Sequence, residues 1–139
     1  MTMTGTLHLQ SVEGTGLRFE ARFDSQSVVF DSGPGAVAPT PPQNLLGALA
    51  ACMGMDVISI LRKKRESVTA YEIVMEADRA ATHPRRLTAI RLVHRVTGHG
   101  VREAAVTEAV NLSSTKYCSV YFTLDPSMPI TSRVEILEG

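Results

Sequence analysis

Thr40-Pro41-Pro42-Gln43-Asn44-Leu45-Leu46-Gly47-Ala48-Leu49-Ala50-Ala51-Cys52-Met53-Gly54-Met55-Asp56-Val57-Ile58-Ser59-Ile60-Leu61-Arg62-Lys63-Lys64-Arg65 decides the architecture of this 139-residue chain. Thr40 followed three residues later by Gln43 fits a capping box, and Pro41 takes the first helical position, where its missing N–H is not needed. Apolar residues recur at Leu45, Leu49, Met53, Val57 and Leu61, one stripe of a helix. Arg62 to Arg65 closes the helix where positive charge favours the negative end of its dipole, and reads as a solvated terminus rather than a binding patch. The apolar stretch Leu45 to Leu61 is short for a membrane span and carries Asp56, Gly47 and Gly54, so it is expected to be a core helix.

Upstream of this helix the sequence alternates. Leu7 and Leu9 are interleaved with Thr6, His8 and Gln10, and Leu17, Phe19, Ala21 and Phe23 with Arg18, Glu20 and Arg22, which predicts strands with one buried face. Glu13 to Gly16 supplies one turn and Asp24-Ser25-Gln26 the next, leading into a third strand around Ser27 to Asp31. The Gly- and Pro-rich Ser32 to Pro39 then delivers the chain to Thr40.

Downstream, Tyr71 to Ala77 and Leu87 to Thr97 read as strands joined by the polar Asp78 to Arg86, Val101 to Leu112 as a second helix, and Ile130 to Ile136 as a last strand. Ser113 or Ser114 fits the cap of a short third helix carrying Cys118, whereas Val120-Tyr121-Phe122-Thr123 suits a strand equally well; periodicity leaves the two open. The order βββαββααβ places the chain in the α+β class, as one domain over residues 1–139.

Fourteen basic residues balance fourteen acidic ones, so net charge draws the protein neither to nucleic acid nor to an anionic membrane. The N-terminus has no basic region and no apolar run of the signal-peptide kind, and the expectation is a cytoplasmic protein. His8, His83, His94 and His99 are widely separated and there is no Cys-x-x-Cys pair, so neither a metal nor another cofactor is expected. No Gly-rich phosphate loop or serine nucleophile motif is present.

There are two cysteines, Cys52 in mid-helix and Cys118 after the second helical pattern. In a reducing compartment such a pair is catalytic, redox-sensing or buried more often than bridged. Two thiols on separate elements are also what a peroxide-reducing enzyme needs, one thiolate to attack and one thiol to close a disulfide behind it. An unperturbed thiol is only about 3% ionised at neutral pH, and the apolar neighbours Ala50, Ala51 and Met53 disfavour the anion further, so Cys52 requires help. Asp56, four residues on and on the same helical face, opposes thiolate formation; it is read as a polar wall or interface residue.

The segment Pro39 to Cys52, continued by Met53 to Arg65, resembles the central helix of the osmotically inducible protein C and organic hydroperoxide resistance (OsmC/Ohr) family. Leu112-Ser113-Ser114-Thr115-Lys116-Tyr117-Cys118-Ser119-Val120 is similar to the second cysteine segment of an OsmC-like branch. The resemblance implies antiparallel sheets packed on two long central helices, a helix rather than a strand at Cys118, and an intertwined homodimer whose sites are lined by both subunits. It also implies a thiol-dependent peroxidase for organic or lipid hydroperoxides, in which Cys52 attacks, Cys118 resolves and an external dithiol resets the pair, without a cofactor. Leu49 and Met53 are the expected apolar pocket residues. Peroxidase members of the family activate the first cysteine with an Arg held by a Glu ahead of the helix; here that position is Pro42, followed by Gln43, which orients a guanidinium without neutralising it. The Arg candidates are Arg18 and Arg22 on the polar face of the second strand, with Glu20 between them as holder. The departure favours an alternative on the same fold, a redox sensor or a binder of small hydrophobic ligands.

Overall fold

A computed structural model describes residues Met1–Gly139, which divide into two compact units, Met1–Leu45 and Leu46–Gly139. The first unit is a meander of β1 (Thr6–Leu9), β2 (Phe19–Phe23) and β3 (Gln26–Phe30), each antiparallel to the next, with Ala21 opposite both Leu7 and Val28. Asp31 shapes the loop that follows. Its carboxylate accepts the N–H groups of Ser32 at 2.8 Å and Val37 at 3.0 Å, and its own N–H donates to the Pro39 carbonyl at 3.1 Å. That fold-back delivers Thr40 to the start of α1 (Pro41–Lys63), where the expected capping box forms: Thr40 N–H donates to Gln43 Oε1 at 2.9 Å and Gln43 N–H to Thr40 Oγ1 at 3.3 Å.

The second unit is built on the sheet β4 (Ser67–Arg79), β5 (Leu87–His99) and β6 (Ile130–Glu138), in that order. The alternation along β5 is nearly ideal. Ile90, Leu92, His94 and Val96 face the core, while Arg91 and Arg95 face outward and pair with Asp78 and Glu76, and with Glu135 and Glu72. A register shift between Val68 and Ala70 changes the phase of β4, so that Val68, Tyr71 and Ile73 all pack on the core. Gly98 is needed at that irregularity, because a Cβ there would lie 2.1 Å from the Ser67 carbonyl oxygen.

One feature corrects the expectation of antiparallel sheets: β5 and β6 run parallel, from Ile90 beside Ile130 to Gly98 beside Glu138. The connection between them carries α2 (Glu103–Leu112), a π-helical turn over Ser113–Tyr117 and α3 (Ser119–Thr123), long enough to return the chain to the starting edge. Of the two helices expected to be long, α1 has 23 residues and α2 only 10. By length and apolarity α1 would suffice to cross a membrane, contrary to the expectation that it is too short. Its stripe Leu49, Met53, Val57 and Leu61 is nonetheless fully buried against Ile90, Leu92, Val96, Val106 and Ala109, as in a core helix. Each of those leucines contributes roughly 2–3 kcal/mol by leaving water.

Candidate functional site

Both cysteines belong to the second unit, and the fold brings them together. Cys52 lies half-buried on α1, and Cys118 is fully buried in the same core cluster. The segment left open by periodicity is helical, but Cys118 does not ride on the helix. It precedes α3 with extended backbone angles (φ −74°, ψ 104°) and caps it, its Sγ accepting the Tyr121 N–H at 3.3 Å. The π-helical turn sets this position, because its widened last turn closes with the Cys118 N–H donating to the Ser113 carbonyl at 2.9 Å.

The two thiols are tuned in opposite directions. For Cys52 burial is the largest influence and disfavours the thiolate, but hydrogen bonding from the Cys118 thiol, the Val120 N–H and the Ser119 hydroxyl outweighs it. Asp56 opposes them weakly, and the Cys52 thiol ends below its ordinary range. For Cys118 burial again dominates, and Cys52 and Asp56 add to it against the single Tyr121 N–H, so its thiol is pushed up to about 11. Of the two thiols, that of Cys52 is therefore the more readily ionised.

Asp56 itself is half-buried and accepts a hydrogen bond from Ser113 Oγ at 2.8 Å; Ser113 is fully enclosed. Ser113 thus ties two groups into one arrangement: its hydroxyl holds the Asp56 carboxylate while its carbonyl holds the backbone of Cys118.

The other expected site residues are placed as follows. Leu49 and Met53 are sealed in the core without exposed surface, which corrects their expected role as pocket lining: the stripe that makes α1 a core helix is the stripe they occupy. The open groove beside α1, about 420 Å³, is lined instead by Gly47, Ala51, Gly54, Met55 and Ile58, with Tyr71 and Ile73 of β4. Gln43 Oε1 is engaged in the helix cap. In the first unit Glu20 does hold Arg22, Oε1 to Nε at 2.8 Å on an exposed strand face, while Arg18 lies near the Asp31 carboxylate and its buried Nε has no partner. Within Leu46–Gly139 no cation figures among the groups that tune Cys52; hydrogen-bond donors do that work. Sequence reasoning missed those donors because the Val120 N–H, like the Tyr121 N–H that bonds Cys118, is backbone. The hydroxyls of Ser113 and Ser119 on either side of Cys118 were the only side-chain signal.

The OsmC family model, described as OsmC-like protein, matches residues 33–133. Protein YhfA of Escherichia coli K12 is 37% identical over 126 residues, covering 91% of this chain and 93% of its own length. The crystal structure of a hypothetical protein from Aquifex aeolicus superposes with a TM-score of 0.86 at 27% identity, covering 100% of this chain and 98% of that one. The organic hydroperoxide resistance protein OhrB of Bacillus subtilis shares the fold at 15% identity with a TM-score of 0.58, covering 96% of this chain and 97% of that one. The matched region runs from the loop before α1 into β6 and takes in Cys52, Asp56, Ser113 and Cys118, and this chain belongs to the OsmC-like protein family.

Proposed function

We propose that the protein is a thiol-dependent peroxidase that reduces organic hydroperoxides through Cys52 and Cys118. The observation that carries the reading is the opposite tuning of two adjacent thiols, Cys52 lowered and Cys118 pushed up to about 11. The Cys52 thiolate attacks the terminal oxygen of the hydroperoxide; the O–O bond breaks, the alcohol leaves with a proton, and Cys52 becomes the sulfenic acid. Cys118 sulfur then displaces the sulfenic hydroxyl as water, giving the disulfide, and an external dithiol returns the pair to two thiols while being oxidised to its own disulfide. No metal or organic cofactor takes part in this sequence. The apolar surroundings of Cys52, which packs against the core cluster, favour alkyl or lipid hydroperoxides over hydrogen peroxide.

The working unit in this reading is a homodimer in the cytoplasm, with sites lined by both subunits. Only 28% of the apolar window of α1 is buried within the chain, and its open face presents Gly47, Ala51 and Gly54 at helical spacing, small enough for another helix to approach closely. Should the chain remain a monomer, the same 420 Å³ groove supports the second reading, a redox-sensing protein that holds a small hydrophobic molecule between α1 and β4. Steady-state turnover with a dithiol separates the two. A peroxidase consumes cumene hydroperoxide faster than hydrogen peroxide, and both rates vanish in Cys52→Ser. Consumption no faster than by free thiol refutes the enzymatic reading.

A further inference from the structure

Three facts about α1 and the π-helical turn bear on a step that the cysteines alone do not explain. Cys118 is the more protonated of the two thiols, yet it must lose a proton as it attacks the oxidised Cys52. Asp56 is half-buried, sits one helical turn beyond Cys52 on the same face of α1, and forms no ion pair; its negative charge acts weakly on both thiols. Its carboxylate is held at 2.8 Å by the hydroxyl of Ser113, the residue whose carbonyl also fixes the Cys118 N–H at 2.9 Å. One residue therefore anchors both the carboxylate and the backbone that carries the thiol.

We propose that Asp56 is the proton carrier of the resolving step, taking the proton from the Cys118 thiol as its sulfur bonds to Cys52 and passing it to the leaving group. The inference rests on the assignment of Cys52 as attacking and Cys118 as resolving thiol. The step balances without a further reactant: the Cys118 S–H and Cys52 S–O bonds break, the S–S and one O–H bond form, and water departs. The groups that act on the Cys118 thiol are Cys52 and Asp56 from α1 and the Tyr121 N–H, which bonds its sulfur, and of these the carboxylate is the only base other than the partner sulfur. The arrangement also explains why a carboxylate is tolerated beside a thiol that must ionise. Asp56 costs the first step a little by opposing the Cys52 thiolate and speeds the second by general-base catalysis, which typically contributes about 10²–10⁴ in rate.

The experiment bypasses peroxide. Cys52 is converted to a mixed disulfide with 5-thio-2-nitrobenzoate, and the intramolecular attack of Cys118 is followed by release of the coloured thiolate. Asp56→Asn keeps an oxygen that accepts the Ser113 hydrogen bond and removes the base, so release should slow at least about tenfold, while iodoacetamide alkylation of reduced Cys52 should become faster because the opposing charge is gone. A variant that merely loosened the fold would speed both reactions. Release at the wild-type rate, or both rates moving together, overturns the proposal. Loss of release in Cys118→Ser, used as the control, establishes that Cys118 is the resolving thiol; release persisting there would instead sink the cysteine assignment on which the inference stands, whatever Asp56→Asn does.

Discussion

Acidification should destabilise this protein through one buried side chain, His94. It points from β5 into the core with no exposed surface; its Nδ1 shares a hydrogen bond with the Tyr71 hydroxyl at 2.6 Å, and its Nε2 is enclosed without a partner. Protonation would place a cation there with one N–H unsatisfied, and burial lowers the His94 pKa from 6.5 to about 4. In the unfolded chain the imidazole takes up its proton below about pH 6.5, while in the folded protein it stays neutral down to about 4. The unfolded state therefore binds more protons in that window, and stability falls as pH drops through it. The shift of about 2.5 units corresponds to a loss of about 2 kcal/mol by pH 5 and about 3 by pH 4, a large part of the 5–15 kcal/mol typical of a domain. Urea denaturation of wild type and His94→Gln at pH 7 and pH 5 isolates the effect, since the carboxylates titrate alike in both and cancel in the difference. Wild type should lose about 2 kcal/mol more than the variant between the two pH values at unchanged m. Equal losses in the two proteins would refute the reasoning.

Gly98→Ala forces a Cβ against the Ser67 carbonyl and should lower the denaturation midpoint markedly, by about 2 kcal/mol or more, read by urea unfolding. Thr40→Ala removes the acceptor for the Gln43 N–H and should cost about 1 kcal/mol in the same assay, with the cysteine chemistry unchanged. Leu61→Ala, at a fully buried core position, should cost about 2–5 kcal/mol. Light scattering at micromolar concentration should give twice the chain mass of 15.0 kDa, and Gly47→Leu, whose side chain enters the open face of α1, should shift it toward the monomer.

The helix α1 was legible because two independent signals agree there, a capping box at Thr40 and Gln43 and an apolar stripe from Leu49 to Leu61. The strands β2 and β5 were legible for the same kind of reason, a clean period of two. Alternation is blind to direction, however, so the parallel pairing of β6 with β5 could not be read from Ile130, Val134 and Ile136. Around Cys118 local preference misleads. Val120-Tyr121-Phe122-Thr123 is a strand-like sequence, and it is helical because Cys118 Sγ caps the Tyr121 N–H and the preceding π-helical turn aims the chain. The two cysteines were legible as a pair, but what tunes them was not. Sequence reasoning looked for a guanidinium near Cys52, whereas the donors in its own unit are the Cys118 thiol, the Val120 N–H and the Ser119 hydroxyl. The identity of Tyr71 and His94 as partners was equally hidden, since they lie 23 residues apart on adjacent strands.

Mass spectrometry after one equivalent of cumene hydroperoxide tests the cysteine assignment most directly. Wild type should lose two hydrogens by forming an intramolecular disulfide between Cys52 and Cys118, and Cys118→Ser should instead gain oxygen at Cys52. An unmodified wild type, or a Cys52→Ser variant that consumes the peroxide as fast as the parent, would contradict the account.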